Sequence, residues 1–183
     1  MPDQNIFKVI FVLLVGLVAV IYDLKYRKIP NWLTFGSIAA GVMINLFVAF
    51  RNWPLPLLGI LVGFTALFIP FALRGIGAGD VKLLMAFGSI FGPWITLWIA
   101  LWSGIAGGVL SLLQIFYSFG WAKGCFRLYL TVSALWNKAQ REILNNLKPE
   151  SKLYIPYGLA IFIGLIVVLI IQNLTIENEG GHG

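Results

Sequence analysis

Two aspartates stand where an apolar chain has little use for them. Asp80 closes Gly75-Ile76-Gly77-Ala78-Gly79-Asp80-Val81-Lys82, three alternating glycines running into an acid, and Asp23 ends the first apolar run in Val20-Ile21-Tyr22-Asp23-Leu24-Lys25. The other five of the seven acidic residues lie away from such edges: Asp3 near the N-terminus, Glu142 and Glu150 in a basic stretch, Glu177 and Glu179 near the C-terminus. An Asp at the centre of a membrane helix costs roughly 2.5–3.5 kcal/mol on insertion scales, so ionisable groups near bilayer depth usually mark a site. Two carboxylates held close together cannot both ionise cheaply, and the pair titrates as a unit. The charged member can take a proton from water while the neutral member protonates or polarises a carbonyl, which together is peptide hydrolysis without a covalent intermediate. A divalent cation would want about six oxygen ligands, and a proton path more acids or histidines than this chain offers, His182 being its one histidine. No metal and no other cofactor is expected. The rival from another class is a non-catalytic membrane assembly or a proton- or ion-coupled component whose acids gate motion.

Asp80 also has a bland reading, the N-cap of a helix beginning at Val81, since aspartate accepts from the free N–H groups of a helix start. Glycines at 75, 77 and 79 remove three Cβ atoms in five residues and let another peptide lie against the backbone. Their alternation reads as an extended stretch with three bare positions on one side, and Gly77 and Gly79 become candidates for shaping a substrate site.

The elements that must position these acids are membrane helices. Of 183 residues, 60% are hydrophobic and 11% charged, and the mean hydropathy is +0.90, far outside the range of water-soluble domains. The formal charge of +6 does not point to nucleic acid, because the basic residues fall between apolar runs and form no aromatic-interleaved patch. One cysteine, Cys125, makes neither an internal disulfide nor a cysteine zinc site. The N-terminus lacks the basic n-region and the cleavage site of a signal peptide, so a retained first helix is expected.

The fold class expected is an all-α integral membrane protein of about six spans, one domain over residues 1–183. The spans are placed at about 5–22, 32–50, 57–73, 81–92, 94–119 and 153–174. Pro30-Asn31 ends the turn before the second, and Gly59 with Gly63 gives the third a GxxxG packing face. The fourth, twelve residues before Pro93, rises only about 18 Å, so its start is expected within the membrane depth in a protein-lined, watered cavity. Within residues 123–152, Trp136, Ala139, Ile143 and Leu147 recur near helical spacing opposite Lys138 and Arg141, which reads as an amphipathic helix on anionic membrane lipid. Residues 175–183 are expected as a flexible tail. Threading six spans puts Lys25, Arg27, Lys28, Arg74, Lys82, Lys123, Arg127, Lys138, Arg141, Lys148 and Lys152 on one side, and only Lys8 and Arg51 on the other. Positive-inside bias then places both termini outside and both aspartates at the cytoplasmic face.

Gly77-Ala78-Gly79-Asp80-Val81-Lys82-Leu83, preceded by Asp23, Lys25, Arg27, Lys28 and Ile29-Pro30-Asn31 and followed by Ile155-Pro156-Tyr157-Gly158, closely resembles the type IV prepilin peptidases. It looks most like their short, single-domain branch serving tight-adherence and Flp-type pili. The resemblance runs from about residue 5 to 172. It implies an aspartic endopeptidase of the bacterial inner membrane that removes the short basic leader of prepilins, with Asp23 and Asp80 as the catalytic pair and a prepilin as partner. Bifunctional members carry an N-terminal cytoplasmic domain with paired cysteines and N-methylate the new terminus, and their lack here implies cleavage alone. Presenilin-type proteases share Tyr22-Asp23 and the Gly-x-Gly-Asp motif, but need about nine spans and a Pro-Ala-Leu motif that this chain lacks. Pro156, Tyr157 and Gly158 break the start of the last helix and, by the resemblance, border the site. Lys82 is expected to anchor on lipid phosphate, or to tune Asp80 from nearby.

Overall fold

The computed structural model describes residues 3–48, 54–73, 75–133 and 156–180. Six helices make up its regular structure among these residues: α1 (Asp3–Tyr26), α2 (Asn31–Val48), α3 (Pro54–Ala72), α4 (Ala78–Phe91), α5 (Pro93–Ser133) and α6 (Tyr157–Gly180). Three stretches, Ile6–Tyr26, Pro54–Ala72 and Pro93–Gln114, are long and apolar enough to cross a membrane, while Asn31–Phe47 and Tyr157–Asn173 are apolar but shorter. The chain is an all-helical protein with the make-up of a membrane protein.

Two compact units divide the chain, Met1–Gly107 with Pro156–Gly183, and Gly108–Ile155. What is described of the second is the distal part of α5, which does not stop near Phe119 but runs to Ser133. It thus takes in the first residues of the segment expected as an amphipathic helix at 123–152, of which 134–152 lie outside the described residues. At the other end α6 continues to Gly180. Residues 175–180, expected as flexible tail, are helical because no proline or glycine interrupts them before that point, and 181–183 lie outside the described residues.

In the first unit the burial pattern is that of a bundle set in lipid. On α1, Phe7, Ile10, Leu14, Leu17, Ile21 and Leu24 recur every three or four residues and are exposed, whereas Val12, Val15, Ala19 and Asp23 share the buried face. Large apolar side chains on the outside cost nothing in hydrocarbon, and the inner face is left to small residues and the acid.

Helix α4 is the centre. Leu83, Leu84, Ala86 and Phe87 are fully enclosed, as expected for a helix apolar on every side. Packing is most extensive against α3 and α2, with α1 and α6 completing the enclosure. The GxxxG pair makes the α3 approach possible: a Cβ on Gly59 would fall on the carbonyl of Gly88, and one on Gly63 would meet the backbone of Leu84 and Met85.

The far end of α4 needs a polar partner. Pro93 has no N–H, so the carbonyl of Ser89, four residues earlier, loses its intrahelical donor. The amide of Asn45 on α2 takes that place, donating from Nδ2 to Ser89 O at 2.9 Å and to Ile90 O at 3.1 Å, and to Gly41 O of its own helix at 3.0 Å. Its Oδ1 accepts from Lys8 Nζ at 2.9 Å, which brings a cation to the negative end of the α4 dipole. Asn45→Leu keeps the volume and strands these groups, so unfolding in detergent should show a loss of about 1–3 kcal/mol, against a few tenths for a leucine on the exposed face of the same helix.

Candidate functional site

Asp23 occupies the last turn of α1. The helix ends just beyond it because Arg27 takes φ 54, the left-handed region that costs a non-glycine residue about 1–2 kcal/mol, while its N–H still reaches Asp23 O at 2.9 Å. The chain turns sharply and restarts at Pro30, whose carbonyl accepts from Leu33 N at 3.2 Å and Thr34 N at 3.3 Å. Pro30 therefore holds the cap position of α2, and Asn31 is the first helical residue. Its side chain is free for another partner: Oδ1 accepts from Lys82 Nζ at 2.9 Å, and that ammonium sits 4.7 Å from the centre of the Phe35 ring. Lys82 is thus tied to α2, and the tie neither tunes Asp80 directly nor points to lipid.

Helix α4 begins three residues before Val81. Gly77, at φ −78 and ψ 152, is its cap residue, and Asp80, in the first turn, accepts at Oδ2 from Gly77 N–H at 3.1 Å. This is half of a capping box; glycine has no side chain to supply the other half. The extended glycine strand does not form, because Ala78 and Gly79 are already helical. Nor does a positive φ require glycine at 75, 77 or 79. Space does: a Cβ on Gly79 would sit 3.1 Å from Ile29 Cβ, and one on Gly77 3.1 Å from Asp80 Oδ2. The bare side of Gly79 is covered by Ile29, itself buried, so the glycine serves the approach of the α1–α2 turn to α4 and leaves no groove for a peptide at that point.

The third contributor is the start of α6. Pro156 holds the cap position there, its carbonyl accepting from Leu159 N at 3.1 Å. Gly158 N–H donates to Asp23 Oδ2 at 2.9 Å. A Cβ at 158 would lie 2.9 Å from that oxygen and 3.2 Å from Asp23 Cβ, so the glycine lets a helix N-terminus close on the carboxylate. Tyr157 is half-buried, packs its ring where Gly107 leaves room, and lies within electrostatic reach of Asp80.

Asp23 is 3% and Asp80 7% exposed. Burial pushes the Asp80 carboxyl up to about 7, the neighbouring charge of Asp23 adds to the rise, and the Gly77 N–H opposes it. Asp80 Oδ1 is buried with no hydrogen-bond partner among the described residues. Below about pH 7 the Asp80 carboxyl is therefore held mainly in its neutral form, the state in which it can donate a proton. The structure brings Asp23, Asp80, Gly77, Gly158 and Tyr157 together; Gly79 and Lys82 stand one contact back, each touching the α1–α2 turn or the start of α2. Reasoning from the sequence missed Ile29 and Asn31 as the partners in those contacts; Asn31, placed just after a helix-capping proline, carried the one available signal, an amide not needed as a cap.

A family model, the type IV leader peptidase family, matches residues 10–112. The chain belongs to that family. The match takes in Asp23, the turn at Ile29 to Asn31 and the whole of Gly75 to Lys82, and ends before the Gly158 that closes on Asp23. Comparison with curated proteins and with solved structures gave no match. Leader peptidases cut peptide bonds.

Stability should record the buried carboxyl. Asp80 binds its proton more tightly folded than unfolded, where its value is near 3.8, so its contribution is complete below about pH 4 and is lost as pH rises through about 7. Melting temperature in detergent should fall across that window in the wild type. In Asp80→Asn the fall should be absent, and above pH 7 this variant should melt higher than the wild type.

Proposed function

We propose that the chain is an aspartic endopeptidase that removes the short basic leader of a type IV, Flp-like prepilin at the cytoplasmic face of the bacterial inner membrane. The observation that carries this is the burial of two carboxyls from α1 and α4 side by side, one of them raised to about 7, in a leader peptidase chain. A water between them gives a proton to Asp23 as its oxygen attacks the scissile carbonyl carbon, and Asp80 gives its own proton to the carbonyl oxygen. The gem-diol then collapses: the C–N bond breaks, the amine leaves with the proton held by Asp23, and one hydroxyl returns its proton to Asp80. Both carboxyls end as they began.

The topology proposed is six spans with both termini outside, which rests on the distribution of lysine and arginine and on the helices themselves. A pilin helix lying in the bilayer would then present its leader at the level of the two acids. Reporter fusions and cysteine labelling should place residues 22–31, 74–80 and 123–152 in the cytoplasm and the Arg51 loop outside. An external position for any of the first three breaks the shared site.

Purified protein with a synthetic leader–pilin substrate tests the chemistry. Asp23→Asn and Asp80→Asn should each abolish cleavage in a folded protein, and the double variant should be little worse than either, as for residues acting as one unit. The wild-type rate should fall as pH rises through about 7, where Asp80 loses the proton it must donate. Substantial cleavage by either single variant removes the pair from the mechanism.

A further inference from the structure

The two acids belong to different stretches of chain, and their separation depends on what fastens the α1–α2 turn to α4. Two contacts do so at the acid end. One is apolar, Ile29 against Gly79. The other is polar, the Lys82 ammonium on Asn31 Oδ1 at 2.9 Å and over the Phe35 ring at 4.7 Å. Lys82 follows Asp80 by two residues and Asn31 follows Asp23 by eight. We propose that the Lys82–Asn31 clip is a positioning device for the reaction, fixing Asp23 against Asp80 by stapling the start of α2 to the first turn of α4.

The chemistry of the pair suits that task. Lysine offers three donors on a long stem, and asparagine an uncharged acceptor, so the staple adds no negative charge beside two carboxyls. The Phe35 face holds the ammonium from below by its negative quadrupole. Lysine is left with an anchored position between two residues of one helix, which accounts for its presence two positions after an acid better than a lipid contact does. The staple lies at the partly exposed rim, where losing it need not unfold a bundle whose core is Leu83, Leu84 and Phe87. It acts on geometry, and misplacement of reacting groups by about an ångström can cost on the order of a hundredfold in rate.

The proposal rests on the assignment of the reaction to Asp23 and Asp80. Lys82→Met keeps the stem over Phe35 and removes the donors; Asn31→Leu removes the acceptor and leaves the charge. Each should lower kcat roughly tenfold or more with KM within about twofold, because neither residue touches the substrate. The double variant should match the worse single variant, since both remove one contact. In Asn31→Leu the alkaline limb of the rate should move to lower pH, as Asp80 stands farther from Asp23 and a loosened Lys82 can approach it. The same acid-ward shift should show in the melting temperature against pH, a readout that needs no substrate. Wild-type kinetics in Lys82→Met, additive losses, or a rise in KM at constant kcat would each overturn the positioning role. A wild-type protein that cleaves nothing, with the melting shift present, would instead refute the reaction and leave the staple standing.

Discussion

Two buried carboxyls within electrostatic reach of each other are a costly arrangement, and the bundle is organised around what makes them tolerable. One of them is kept neutral by that cost itself, since burial and the other's charge raise Asp80 to about 7. Backbone N–H groups reach both carboxyls. Gly158 N–H at the start of α6 reaches Asp23, and Gly77 N–H at the start of α4 reaches Asp80. Helices α2, α4 and α6 all begin at this end, so their positive dipole ends converge where the negative charge must be held.

The helical architecture and the setting of Asp23 and Asp80 at the edges of apolar runs could be read from the residues because both follow from local composition. Runs of Ile, Leu and Val have one use at this length, and an Asp at the edge of such a run stands out against it. What could not be read depends on residues distant in sequence. Gly158 meets Asp23 across 135 residues, and Asn45 meets Ser89 across 44, contacts that no periodicity reports. The glycines misled for a related reason: alternation at 75, 77 and 79 fits an extended strand, but the N–H of Gly77 turns back to Asp80 and the helix starts at Ala78. Local spacing gave way to a cap. Helix α5 runs on to Ser133, well past the stretch Pro93–Gln114 that is apolar enough to cross a membrane, because no proline interrupts it.

Helix α4 is short for a reason visible at both of its ends. Gly77 stops it on one side, and the Gly92–Pro93 break, with Gly92 at φ 82, stops it on the other. Its 14 residues rise about 21 Å, well under the roughly 30 Å of a hydrocarbon core. A longer helix would carry Asp80 out to bulk water, where the carboxyl would titrate as an ordinary exposed acid. Asn45 and Lys8 make the short length sustainable by satisfying carbonyls that would otherwise end unpaired in lipid.

The same distance appears on α1. Lys8 and Asp23 are fifteen residues apart, about 22 Å along the helix, so the polar marks on α1 match those on α4 and not the full thickness of a bilayer. Both helices therefore carry their polar groups at matched levels, the acids at one end and Lys8 with Asn45 at the other. A hydrolase gains from this. Two carboxyls at one level, both almost closed to solvent, lie where most water is excluded and electrostatic interactions are strong. The shortness of α4 is then what keeps Asp80 level with Asp23.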